Sequence, residues 1–122
     1  MPFVTIDHAA GISQEQKRAL QASLTAAVVE AFGSVPGSVR VYTRAIDPDD
    51  VYCGDGNHTA GLPVIRAEFL EGRSFEQKKA LIAALARAAA GALEVPVAQI
   101  RTILFDKLRK EWGRGESSMA DT

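Results

Sequence analysis

The sequence predicts an α/β protein of the α+β kind: a tandem β-α-β repeat forming one four-stranded mixed sheet with two helices on one face. Two observations carry this expectation. Sliding the chain by 61 residues aligns Pro2–Asp55 with Pro63–Glu116 without a gap, and 14 of the 54 pairs are identical. The identities include Pro2/Pro63, Gly11/Gly72, Ser13/Ser74, Leu20/Leu81 and Arg40/Arg101, so the likeness extends past the helices into turns and strand ends. The second observation is the order of hydrophobic periods within each copy, which reads strand, helix, strand. A single domain over 1–122 is expected, built of repeats 2–55 and 63–116 joined by the short linker 56–62.

The elements follow in order. Phe3–Ile6 and Val64–Phe69 are apolar runs of strand length, and Gly11 and Gly72 mark the turns after them. Ser13-Gln14-Glu15-Gln16 and Ser74-Phe75-Glu76-Gln77 fit the capping-box pattern of a helix start. Leu20, Leu24, Ala27, Val28 and Ala31 then fall at spacings of three and four, matched by Leu81, Leu85, Ala88, Ala89 and Ala92. Each set describes a helix of about five turns with one apolar face. Gly33 closes the first helix, and Glu94 with Pro96 behind it closes the second. Val39–Thr43 and Ile100–Phe105 supply the second strands. A helix between two strands implies a parallel pair with a right-handed crossover.

One such unit alone buries too little apolar surface to be secure. Two units pairing about a pseudo-twofold axis give the four-stranded sheet. Its strands read as apolar enough to be buried on both faces, so the face without helices is expected to be covered by association in a closed ring. The tail Glu116–Thr122, small and polar, is expected to be mobile, with Lys107, Arg109 and Lys110 solvated.

Composition excludes several classes of function. The chain is 47% hydrophobic and 24% charged, ordinary for a globular domain. Fourteen Lys and Arg against fifteen Asp and Glu leave a net charge of −1, which provides no electrostatic footprint for nucleic acid or an anionic membrane. No apolar stretch reaches membrane-spanning length, and no signal-peptide pattern opens the chain, so a cytoplasmic location is expected. The single cysteine, Cys53, makes no internal disulfide, and no Cys/His cluster has metal spacing. Neither metal nor cofactor is expected.

Pro2 is the first candidate for chemistry. Removal of Met1 would leave its nitrogen as a secondary amine, the one chain position at which proline is a base. Burial and nearby arginines would lower its pKa toward neutrality, suiting it to move a carbon-bound proton. Met-Pro alone is a common opening. Its context here is Pro63, the aligned proline, which is locked in an amide and serves as a strand start. Arg40 and Arg101 hold equivalent places in their second strands, and Arg73 follows the third strand where Ile12 stands in the first repeat. Guanidinium groups grip carboxylates bidentately. For Arg40, an ion pair across an interface is an equal reading; for Arg73 and Arg101, carboxylate binding is favoured. Trp112, between glycine-rich turns, either walls the amine or caps the core or an interface. His8, His58 and Cys53 lack partners at catalytic spacing.

The segment from Leu62 through Leu70-Glu71-Gly72-Arg73-Ser74 to Lys78 closely resembles the start of 4-oxalocrotonate tautomerase. The likeness continues through Val95-Pro96, Ile100-Arg101 and Trp112-Gly113-Arg114-Gly115. It covers nearly the whole chain, twice over, as in the fused, double-length members of the tautomerase superfamily. The resemblance implies a tautomerase/MIF-like fold and a keto–enol tautomerase acting on a 2-hydroxydienoate or enolpyruvate-type acid. Pro2 would shuttle the proton and Arg73 would bind a substrate carboxylate. Arg101 or Arg40 would reach in from a neighbouring protomer, and Trp112 would form the aromatic wall. It further implies a homotrimer with one competent site per chain, since Ile12 lacks the arginine and Pro63 is blocked. Dehalogenating members use a further carboxylate and a second arginine, where Leu70 and Arg114 stand here. Hydration or dehalogenation of a small unsaturated acid, and a non-catalytic trimeric binding protein of this fold, are the alternatives.

Overall fold

A computed structural model describes residues 1–58 and 61–121. Strand β1 (Phe3–Ala9) leads into helix α1 (Gln14–Phe32) and strand β2 (Arg40–Ile46); β3 (Val64–Leu70), α2 (Phe75–Leu93) and β4 (Arg101–Lys107) repeat the sequence of elements. The strand order is β2-β1-β3-β4. Each repeat contributes a parallel pair, and the two repeats join through antiparallel β1 and β3. The expected four-stranded mixed sheet is therefore present.

Both helices begin on complete capping boxes. Ser13 accepts from the Gln16 amide at 3.0 Å and the Gln16 side chain accepts from the Ser13 amide at 3.1 Å; Ser74 and Gln77 repeat this at 3.1 and 3.0 Å. Each box satisfies amides that the helix itself leaves unpaired. The helices end in the left-handed region, at Gly33 with φ 66° and at Glu94 with φ 58°. Glycine adopts that conformation freely, whereas glutamate does so against its Cβ.

Leu20, Leu24, Leu81 and Leu85 have no exposed surface and join Val4, Ile6, Ile65 and Phe69 in one core between the helices and the sheet. Full burial of each leucine contributes about 1.5–3 kcal/mol. The antiparallel register pairs Thr5 with Arg66. These two residues are also equivalent in the repeat, so the pseudo-twofold axis passes between them. It exchanges the start of β1 with the start of β3, which lie at opposite ends of the central strand pair.

Three expectations need correction. The strands run longer than the apolar runs, β1 to Ala9 and β2 to Ile46. The face without helices is not apolar throughout. It alternates, presenting Asp7, Arg44 and Arg66 beside Phe3 and Tyr42, and Asp7 accepts from Arg44 at 2.6 and 2.9 Å and from Arg66 at 3.0 Å. The C-terminal segment is folded through Asp121, Thr122 lying outside the described residues: β5 (Gly113–Arg114) pairs antiparallel with β6 (Ser117–Ser118), followed by a helical turn at Met119–Asp121. Arg109 is not simply solvated either. It donates from its backbone to Glu71 at 2.9 Å and from its guanidinium to the Met119 carbonyl at 3.1 Å.

Candidate active site

The site begins with the position of Pro2. It is fully buried ahead of β1, and its carbonyl accepts from the Arg40 amide at 3.0 Å. Continuing the β1–β3 register by one residue sets Pro2 opposite Phe69. The ring of Phe69 meets that of Phe32 edge-on at 4.9 Å, and the Arg73 guanidinium lies 4.7 Å from the Phe32 ring centroid. Arg73 thus rests on an aromatic shelf made by the end of α1 and the interior of β3. Among the described residues its Nε is buried without a hydrogen-bond partner, a donor that an anion would satisfy.

The chain's amino group is close enough to feel that charge. The Met1 amine is held below its ordinary 8.0, first by burial and then by the Arg73 guanidinium. Phe3 faces the other way, with its ring 5.2 Å from Trp112. The hairpin holds Trp112 there: the Met119 amide donates to the Trp112 carbonyl at 2.8 Å. Phe3, Glu68, Lys107, Glu111 and Trp112 line a cavity of about 350 Å³.

One end of the sheet therefore gathers Pro2, Arg73, Arg40 and Trp112. Arg40 is exposed, and its guanidinium is turned back onto the carbonyls of Gly37 (2.7 Å) and Val39 (3.3 Å). Arg101 lies elsewhere. Its amide donates to the Pro63 carbonyl at 3.3 Å, placing it at the far end of the central strands, about 20 Å from Pro2 at 3.4 Å per residue. Phe32, Phe69 and Phe3 join the site only through the fold, beyond the residues the sequence singles out. The repeat alignment carried a clue, since Phe32 stands where the second repeat has Leu93 and Phe69 where the first has His8.

The family model for Tautomerase enzyme matches residues 2–59 and again 63–122. The chain belongs to the tautomerase family. A 2-hydroxymuconate tautomerase of Comamonas testosteroni is 40% identical over 52 residues, 43% of this chain and 82% of that protein. Among solved structures, the R7 fused 4-OT wild-type asymmetric trimer superposes with a TM-score of 0.94 at 31% identity, covering 98% of this chain and 97% of its own. A member of the cis-3-chloroacrylic acid dehalogenase family shares the fold at a TM-score of 0.84 and 20% identity, covering 95% of this chain and 82% of its own. This tautomerase-family chain is accordingly a 4-OT-like enzyme of double length. Among the described residues no helix is long and apolar enough to cross a membrane, and no group of three or more His, Cys, Asp or Glu could hold a metal ion.

Proposed function

We propose that this tautomerase-family chain, once Met1 is removed, converts a small 2-hydroxydienoate or enolpyruvate-type acid to its 2-keto isomer, with Pro2 as general base and acid. The observation that carries the reading is the meeting of the chain's amino end with Arg73, whose Nε lacks a partner among the described residues. Burial and the guanidinium disfavour a charged amine. The neutral Pro2 nitrogen takes the 2-hydroxyl proton and returns it to a distal carbon, so atoms balance without a co-reactant. Arg73 binds a carboxylate, and electron density moves toward that end of the substrate. Trp112 and Phe3 exclude water from the other side.

The similarity to fused 4-OT trimers supports a homotrimer. A neighbouring protomer would then supply the second anchoring arginine, and Arg101, too distant within one chain, can serve only in that way, whereas Arg40 already lies beside Pro2. The linker 56–62 separates the two repeats, and the second repeat carries no base because Pro63 is an amide.

Intact mass first establishes whether Met1 is absent; ultraviolet spectroscopy then follows 2-hydroxymuconate and phenylenolpyruvate with wild type and Pro2→Ala. Ketonisation of either enol should be about 10²–10⁴-fold faster with wild type, the usual contribution of a positioned general base. Equal rates, or full activity with Met1 attached, defeat the proposal. One observation favours a second reading, water addition to an unsaturated acid: Glu68 and Glu111 line the cavity beside Trp112 and could orient water. Halide release from 3-chloroacrylate distinguishes it.

A further inference from the structure

The pseudo-twofold axis gives the sheet a second end equivalent to the Pro2 end, and the residues there have diverged. His8 takes the place of Phe69, Leu93 that of Phe32, and Ile12 that of Arg73. Where the Pro2 end has a guanidinium, this end has a cavity of about 130 Å³ walled by His8, Ile12, Leu62, Pro63, Leu93 and Val95. Among the described residues no lysine, arginine or carboxylate lines it, and the Gln99 amide at its edge donates to the Leu62 carbonyl at 3.3 Å. His8 is 1% exposed, and its Nε2 is buried without a hydrogen-bond partner among the described residues.

The protonation pattern of His8 follows from its other nitrogen. Nδ1 lies 2.9 Å from the Ala9 carbonyl, which can only accept, so Nδ1 carries the hydrogen. In the neutral ring Nε2 is then a lone-pair acceptor. A buried acceptor left unpaired costs free energy that a donor recovers. The size of the cavity sets the rest of the ligand. Apolar cavities of about 150 Å³ admit benzene, so the volume fits a single small ring or a short aliphatic chain.

We propose that the Pro63 end is a second binding site, specific for a small uncharged molecule with an apolar body and one hydroxyl, of which phenol is the simplest probe. The hydroxyl donates to His8 Nε2, and the ring packs on Leu62, Leu93 and Ile12. The site differs in kind from the Pro2 end, because among the described residues it has no arginine or lysine to pair with a carboxylate, and its proline nitrogen is an amide.

Two-dimensional NMR of the labelled full chain, titrated separately with phenol and toluene, tests the proposal. Saturable shifts should centre on Ile12, Leu62, Val95 and the His8 ring, with phenol bound about tenfold more tightly than toluene, as one hydrogen bond to a buried acceptor allows. His8→Phe installs the residue that the first end already uses and should bring phenol and toluene to equal affinity. Leu93→Phe fills the cavity with the equivalent of Phe32 and should abolish binding, with enol ketonisation retained. Shifts confined to Phe3, Arg73 and Trp112, no saturation at millimolar phenol, or an undiminished phenol preference in His8→Phe would each overturn the proposal. None of those results depends on whether the Pro2 end is active.

Discussion

Replacing Arg73 with glutamine separates the two tasks assigned to it. The side chain keeps comparable length and polarity but loses its charge and its paired donors. A hydrogen bond to a charged group contributes about 1.5–3 kcal/mol, which at about 1.4 kcal/mol per tenfold predicts a 10- to 150-fold fall in kcat/KM. The pH profile carries the second task. On the proposed mechanism the working amine is the free base, so the rate should rise as pH climbs through its pKa. The Met1 amine is held down first by burial and then by the Arg73 charge, and the Pro2 amine exposed by removal of Met1 should feel the same two influences. In Arg73→Gln the acidic limb should therefore move to higher pH, yet stay below the position of an unperturbed amine. Arg73→Lys retains the charge without the fork, so its limb should remain in place while KM rises. Steady-state ketonisation of 2-hydroxymuconate from pH 5 to 9 reads both effects. A limb that stays fixed in Arg73→Gln, or a kcat/KM within twofold of wild type, would refute the assignment.

The remaining predictions concern stability. Leu85→Ala opens a cavity at a fully buried position and should cost about 2–5 kcal/mol in urea denaturation at fixed protein concentration. Glu94→Gly relieves a left-handed backbone at φ 58° and should stabilise by about 1 kcal/mol, read as a higher Tm. Asp7 has its carboxyl held below the usual 3.8, first by Arg44 and then, against the opposing effect of burial, by Arg66. A carboxyl depressed in the folded state contributes stability above its unfolded pKa and loses it as pH falls through the folded value. The advantage of wild type over Asp7→Asn should thus be complete near pH 6 and shrink progressively below about pH 3.8 in thermal melts.

Much of the fold was legible because duplication writes each element twice. Ser13 and Ser74 announced both helix starts, and the leucine spacing announced the core. The strands ran past their apolar runs because Asp7 is neutralised by arginines on neighbouring strands, Arg44 and Arg66, a long-range pairing that no local window contains. The order around Trp112 escaped notice for a similar reason. Gly115 at φ 60° turns the β5–β6 hairpin, yet its polar sequence reads locally as a tail. Pro2 and Arg73 stood out by type and position, whereas the shelf formed by Phe32 and Phe69 depends on the end of one repeat's helix meeting the other repeat's strand. His8 has no partner at catalytic spacing in the sequence, and the burial of its Nε2 exists only in the fold.

The register that pairs Thr5 with Arg66 has a consequence for how such a chain can change. In an assembly of identical single units, every substitution is copied to each end of every sheet. Once the units are covalently joined, each end is encoded separately. Leucine, isoleucine and histidine can therefore surround one proline while aromatic and cationic residues surround the other.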